Sequence, residues 1–532
     1  MGRLVKYWPL LLIIVSTFFL RIWNLEELFY FSYDEAIPAF VGRRLILWNH
    51  IPLIGGVTPF GFHLAPYFYW FYSLLLLVGN LNPIIWGYAG AAIAIITTFL
   101  IYKVGTRLGT KKTAFTAATF WTFSFLANLN DRHLWALYWG PLISLISLIC
   151  LHKIINPNTE NIRARFICLL GITLAISIHA DPSNLVFVLL AIIVWVNYKI
   201  PINKSTFFAI AIIIFSFTPL VVFDLRHNFA NTRPVLDFIK SGRNNPAFES
   251  QKFISNTLLF PRTFTRLGYT FGDREVSKQY SYCRNFISEK FNSIPKSLII
   301  ISSIILLYFA LTSLKRKNKN QMSKLIATLI LLYLLGIQIY GTIFRADIFE
   351  HYITGIFPSL LLILAFYVAK LPKKLWILAL TLFVGLNFYK LQGAKNDLGL
   401  THKRQAIEYT MQQIGDKSFS LDSLSTCWKL SGYRYLFAVF GREPVKSYVD
   451  PNLSYLYGET LVWSRHPQIV AAFIAHDFAP ETNEFYRRYD LLKSHELSSS
   501  LFGRIEVIIM DNSAEWFDQP QELKNPSLPS ID

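Results

Sequence analysis

Two adjacent carboxylates offer the sharpest chemistry in the chain. Asp34 and Glu35, in Tyr33-Asp34-Glu35, follow an apolar run of membrane length and precede an amphipathic stretch, 36–47. An acid placed at bilayer depth costs a few kcal/mol, so such a pair beside a membrane asks for a role. One carboxylate can act as general base towards a hydroxyl or an amine while its neighbour supports it. A plainer role is also open: Asp34 could cap the helix that follows, worth about 1 kcal/mol. The two roles are compatible, because a cap fixes where a carboxylate points. Four further polar clusters stand where apolar runs begin or end. They are Asn128, Asn130, Asp131, Arg132 and His133; His179-Ala180-Asp181; Asp224-Leu225-Arg226-His227-Asn228; and Arg345, Asp347, Glu350, His351 and Tyr352. If these converge at one membrane face they line a polar cavity, and Arg and His beside lipid headgroups suit a phosphate-bearing, membrane-embedded substrate.

Several chemistries are excluded by what the sequence lacks. It holds no Walker loop, no dinucleotide fingerprint, no His-Glu-x-x-His and no Cys-x-x-Cys. It also lacks an Asp-x-Asp, so any sugar donor is expected to be lipid-linked rather than nucleotide-linked.

The elements that must position these residues are membrane helices. Of 532 residues, 53% are hydrophobic and only 16% charged, against about 25% charged in a soluble domain. A bilayer core of about 30 Å needs roughly 17–25 apolar residues per helix. Eleven stretches qualify or come close: 8–24, 84–102, 113–128, 135–151, 166–179, 185–198, 206–223, 297–314, 325–343, 353–369 and 375–390. Residues 64–79 form a twelfth, ambiguous one. The first is read as a retained span, because no small-residue cleavage site follows it.

Orientation follows from Lys and Arg, which are retained on the cytoplasmic side. Segments 1–7, 103–112, 152–165, 199–204, 315–324 and 370–374 hold 19 Lys and Arg against one acid, Glu160. That is the whole net charge of +18, so nucleic acid is not expected as a partner. All six segments share one side only if 64–79 does not cross, which makes it an amphipathic segment of the outer face. Residues 391–532 then lie outside, with a helix at 406–414 and strands at 418–421 and 505–510. The long 224–296 segment reads as an outer loop. Cys150 and Cys168 fall in or beside spans, whereas Cys283 and Cys427 fall on the oxidising side and could pair.

The basic N-terminus, single span, Tyr-Asp-Glu-Ala, amphipathic stretch and Pro-bearing outer segment resemble the protein O-mannosyltransferases and the lipid A aminoarabinose transferases. Both are GT-C membrane glycosyltransferases, and the resemblance covers roughly residues 5–390. It implies that Asp34 is the base on the acceptor, with Glu35 as companion, in an inverting transfer from a polyprenyl-phosphate sugar. Phe62-His63-Leu64-Ala65-Pro66 resembles the Pro-containing stretch that lines the site; some relatives have Lys-Pro there, so a phosphate contact falls to His63 or elsewhere. Asn130-Asp131-Arg132 falls at the second outer loop, and the run from His351-Tyr352-Ile353 to Pro358 resembles the one whose Tyr contacts the lipid phosphate.

The expected architecture is therefore an α-helical polytopic membrane protein, GT-C-like, with about 11 transmembrane helices plus juxtamembrane helices over 1–390 and a small extracytoplasmic α/β domain over 391–532. Asp34 and Glu35 are the expected catalytic residues; His63, Asp131, Arg132, His179, Arg226, Arg345, Glu350 and Tyr352 the expected substrate contacts. No resident metal or required cofactor is expected, although a divalent cation could take part. The expected partners are the lipid bilayer, a polyprenyl-phosphate-linked sugar and a protein, lipid or glycan acceptor, at the plasma or inner membrane. A lipid-linked sugar transporter or flippase is the alternative, but the spans are nearly free of acids and lack the internal repeats usual in transporters. A non-enzymatic assembly protein would leave the Asp-Glu pair without a purpose.

Overall fold

The computed structural model describes residues 2–31, 33–58, 61–244, 250–271, 293–315, 317–343, 348–424, 432–447, 449, 467–474 and 483–512. Its first part runs α1 (Gly2–Ile22), α2 (Leu25–Leu28), α3 (Tyr33–Trp48), α4 (Tyr67–Val78), α5 (Ile84–Leu108), α6 (Lys111–Phe123) and α7 (Phe125–Arg132). There follow α8 (Gly140–Ile155), α9 (Glu160–Ala180), α10 (Leu185–Asn197), α11 (Lys204–Phe215), α12 (Thr218–Arg226), α13 (Thr232–Asn244) and α14 (Ser250–Gly268). The last membrane-type helices are α15 (Lys296–Leu314), α16 (Gln321–Ile337), α17 (Phe357–Val368) and α18 (Lys373–Gln392).

Eight helices among the described residues are long and apolar enough to cross a bilayer, and all eight coincide with expected spans. The runs at 8–24 and 185–198 appear as shorter apolar helices, Trp8–Ile22 and Pro182–Asn197, and 64–79 as Tyr67–Val78. The 113–128 expectation is corrected. The helix breaks at Ser124, whose backbone leaves the helical region (φ −55, ψ 121). Asn387 of α18 accepts the freed Phe125 N–H at 3.0 Å and donates to Gly268 O at 2.9 Å, while Ser124 Oγ donates to Leu267 O at 2.8 Å. Buried backbone groups must find partners, and these side chains supply them. The loop expected over 224–296 is also corrected, since α13 and α14 lie within it.

Beyond α18 the chain forms α19 (Leu400–Ile414), β1 (Phe419–Ser423), α20 (Tyr433–Phe440), β2 (Lys446–Ser447), β3 (Ile469–Ile474), α21 (Asn483–Ser494), β4 (Glu496–Phe502) and β5 (Ile505–Asp511). The sheet order is β2-β1-β3-β5-β4. β1 is parallel to β2 and β3, with Phe419 opposite Ile469, and β5 is antiparallel to β3 and β4, with Val470 opposite Met510. Strand residues alternate between faces. Phe419, Leu421, Ala471, Phe473, Val507 and Ile509 join the main core that continues into the membrane helices. Val470, Ala472, Ile508 and Met510 build a second core with Leu492 of α21.

Candidate active site

Asp34 and Glu35 occupy the first turn of α3. Asp34 therefore stands inside the helix rather than in the expected capping position, and its charge complements the helix dipole. It is half-buried, and Glu35 is 7% exposed. Burial in the first place, and the neighbouring Glu35 charge in the second, push the Asp34 carboxyl up to about 7. Glu35 Oε1 lies 3.2 Å from His133 Nδ1. The pair thus contains one carboxylate tied to an imidazole and one that exchanges its proton near neutrality, a division of labour suited to base catalysis.

From His133 a string of rings leads away from the carboxylates. His133 meets Tyr30 edge-on at 6.0 Å between centroids and Tyr138 at 5.9 Å. Tyr138 meets Trp135 at 5.9 Å, and Trp135 meets His351 at 5.0 Å. His351 meets Tyr352 at 4.6 Å, and Tyr352 meets Tyr340 at 6.1 Å. Residues 133–138 and the rings of Tyr340, His351 and Tyr352, far apart in sequence, are thereby joined to Tyr30, just before α3. Glu350, beside His351, pairs with the fully buried Arg266 of α14 and accepts from Thr263 Oγ1 at 3.0 Å. Asp181, near Tyr340, is raised to about 6 by burial, partly offset by hydrogen bonds from Ser183.

His63 and His179 belong to a second cluster. His63 closes a turn against Gly55 O at 3.0 Å, and its backbone exchanges hydrogen bonds with the Asn231 side chain. His179 Nε2 lies 2.9 Å from Ser216 Oγ, and Ala65 N–H donates to its Nδ1 at 3.4 Å. Both histidines line a cavity of about 340 Å³ walled by Leu185, Phe217, Leu220 and Val221. Arg226 ends α12 and is exposed. The hydrogen bonds of His63 and His179 run within this cluster, to Gly55, Asn231, Ala65 and Ser216. Arg345 lies outside the described residues, as do Asp347, Cys283 and Cys427.

Asp131 and Arg132, expected as substrate contacts, are engaged by hydrogen bonds within the fold. Asp131 Oδ2 accepts from Arg21 Nε at 2.9 Å and from Arg21 Nη2 at 2.8 Å, and Arg21 also donates to Thr122 O and Trp121 O. Arg132, 0% exposed, donates to Asn128 O, Leu20 O and Trp23 O. Together they weld the end of α1 to the α6–α7 break. Conversely, sequence reading did not select His133, Trp135, Tyr138 or Arg266. His133 belongs to one of the polar clusters, and Trp135 and Tyr138 follow it two and five residues on. Arg266 lay in a segment read as loop, where the apolar periodicity around Pro261 marks a helix. Among the described residues no group of three or more His, Cys, Asp or Glu could hold a metal ion, and Cys150 and Cys168 are free thiols.

Fold and site together describe a polytopic helical protein that carries a carboxylate pair beside its membrane helices and a small mixed sheet packed over them. No protein-family model matches the chain, and no curated protein sequence matches it. Among solved structures it is similar to the oligosaccharyltransferase of Archaeoglobus fulgidus in complex with zinc and sulfate (12% identity, TM-score 0.45, covering 87% of this chain and 67% of that one). It is also similar to ArnT from Cupriavidus metallidurans bound to undecaprenyl phosphate (11% identity, TM-score 0.43, covering 96% and 98%). The archaeal oligosaccharyltransferase AglB of Archaeoglobus fulgidus, in complex with an inhibitory peptide and a dolichol-phosphate, aligns at 14% identity and TM-score 0.41 over 88% and 70%. All are GT-C glycosyltransferases.

Proposed function

We propose that this chain is an inverting glycosyltransferase that moves a sugar from a polyprenyl-phosphate donor to a protein, lipid or glycan acceptor. The observation that carries the reading is the carboxylate pair: Asp34 titrating near 7 beside a buried Glu35 held by His133. In the proposed step Asp34 takes the proton from the acceptor hydroxyl or amine. The freed lone pair attacks the anomeric carbon from the face opposite the phosphate. The bond from carbon to phosphate oxygen breaks, and polyprenyl phosphate leaves with that electron pair. A positioned base contributes about 10²–10⁴-fold in such reactions. Tyr352, next to last in the ring string, is the proposed contact to the donor phosphate, and the exposed Arg226 a second one. Lys and Arg asymmetry supports a cell-membrane protein whose site and residues 391–532 face outward.

The test is transfer by purified protein from a synthetic polyprenyl-phosphate sugar to a panel of acceptors, with inversion read at the anomeric carbon. Transfer by wild type, abolished in Asp34→Asn, is the expected result. Absence of transfer to every acceptor, with donor bound, overturns the reading.

A further inference from the structure

The segment that delivers Asp34 is not held by the membrane helices alone. Tyr30 forms an isolated antiparallel bridge with Gly399, and Leu400 N–H donates to Phe29 O at 3.1 Å. One turn into α19, Lys403 is 0% exposed and donates its ammonium to Phe31 O, three residues before Asp34. The ammonium lies 5.8 Å from the Tyr30 ring centroid and 5.2 Å from that of Tyr433. Tyr30 is the ring that meets His133, which in turn holds Glu35. On the other side Gly432 takes φ +87, and a Cβ there would stand 2.8 Å from the Phe31 ring. Tyr435 packs on Phe31 and Phe40 at 5.7 and 5.3 Å and donates to Leu81 O at 2.7 Å.

A fully buried lysine in the first turn of a helix is a poor choice for stability. The helix dipole opposes a cation there, and burying an ammonium carries a desolvation cost that an apolar side chain of similar volume avoids. We infer that Lys403 is a positioning residue: the region beyond α18 reaches back through it to fix the 29–31 backbone, and so sets where Asp34 and Glu35 point. This inference rests on the function proposed above for its rate readout, but not for its structural one. The sheet-bearing region is then part of the catalytic apparatus rather than an appendage.

Four variants of the full-length protein test it: Lys403→Met, Lys403→Gln, Lys403→Arg and, in parallel, Asp34→Asn. A misplacement of about 1 Å can cost about 10²-fold in rate. Lys403→Met should therefore lower kcat about tenfold or more, leave KM for the lipid donor within about twofold, and keep the wild-type thermal midpoint. Its acid limb in kcat against pH should move, since Asp34's surroundings change. Lys403→Gln, which keeps a donor, should be intermediate, and Lys403→Arg should restore most of kcat. Amide hydrogen exchange over 29–36 should be faster in Lys403→Met. Unchanged kcat in Lys403→Met alongside an inactive Asp34→Asn overturns the inference and leaves the proposed function standing. Loss of rate in proportion to loss of thermal midpoint, or failure of both Met and Gln variants to fold, marks a structural cation and also overturns it. If Asp34→Asn is fully active the proposed function fails instead, and exchange decides the role of Lys403 alone: unchanged exchange overturns it.

Discussion

At the residue scale the proposed mechanism turns on the proton of Asp34. With its carboxyl at about 7, the base is ionised only above neutrality, so transfer should rise with pH through about 7 and lose that limb in Asp34→Asn. The same variant should fold and insert while its turnover falls about a hundredfold or more, as removal of a positioned base does. Near-normal turnover would move the search for the base elsewhere. Stability carries the opposite sign. A carboxyl raised above its unfolded value binds its proton more tightly when folded, so its contribution is present at low pH and fades as pH rises through 7. Relative to wild type, Asp34→Asn should accordingly gain thermal stability between pH 5 and pH 8, read as the difference in midpoints. Glu35→Gln should be milder in rate, because it keeps a partner for His133. Asp131 belongs to a different class. Asp131→Ala strands Arg21, 0% exposed, and loss of one partner of a buried pair costs about 3–5 kcal/mol. A large fall in thermal midpoint with donor KM unchanged is expected; the reverse pattern would return Asp131 to the substrate.

At the element scale the decisive feature is the break between α6 and α7. Nothing in the apolar pattern of 113–128 separates a continuous span from two pieces, since Ser124 alone is compatible with either. The break is stable because Asn387, far along the chain, meets Phe125 N–H and Gly268 O. Asn387→Leu leaves both groups unpaired in an apolar setting, at about 1–3 kcal/mol for each buried group. A lower thermal midpoint is expected, together with faster exchange at Phe125 and no change in the pH profile. An unaltered midpoint would mean that water or lipid replaces the clip. The elements that were legible are the long ones. All eight membrane-length helices fall on apolar runs read from the sequence, and the strands at 418–421 and 505–510 reappear as β1 and β5. The misread elements, α13 and α14, carry enough charge to look like loop while keeping a helical period.

At the scale of the whole molecule the open quantity is sidedness. The 19 Lys and Arg gathered in six short segments give a direct test, with native thiols first removed. A cysteine at Lys319, exposed in a basic loop, should resist a membrane-impermeant thiol reagent added to intact cells. One at Leu497, exposed on β4, should react; the opposite pattern inverts the topology. Sequence alone determined that this chain carries apolar helices long enough to cross a membrane and where they run, and it singled out the adjacent carboxylates Asp34 and Glu35. Those conclusions rest on hydropathy, local charge and adjacent residues, all of which are short-range properties. Only the tertiary structure decided which polar residues the fold itself engages. Asp131 and Arg132 end α7 and bond Arg21 and backbone carbonyls, while His133 one residue on turns to Glu35. Lys403, some 370 residues beyond Asp34, reaches Phe31 O just before α3. A loop's composition says which groups are available near a membrane face. Which of them are used by the fold and which are left for chemistry depends on partners that long-range packing alone supplies.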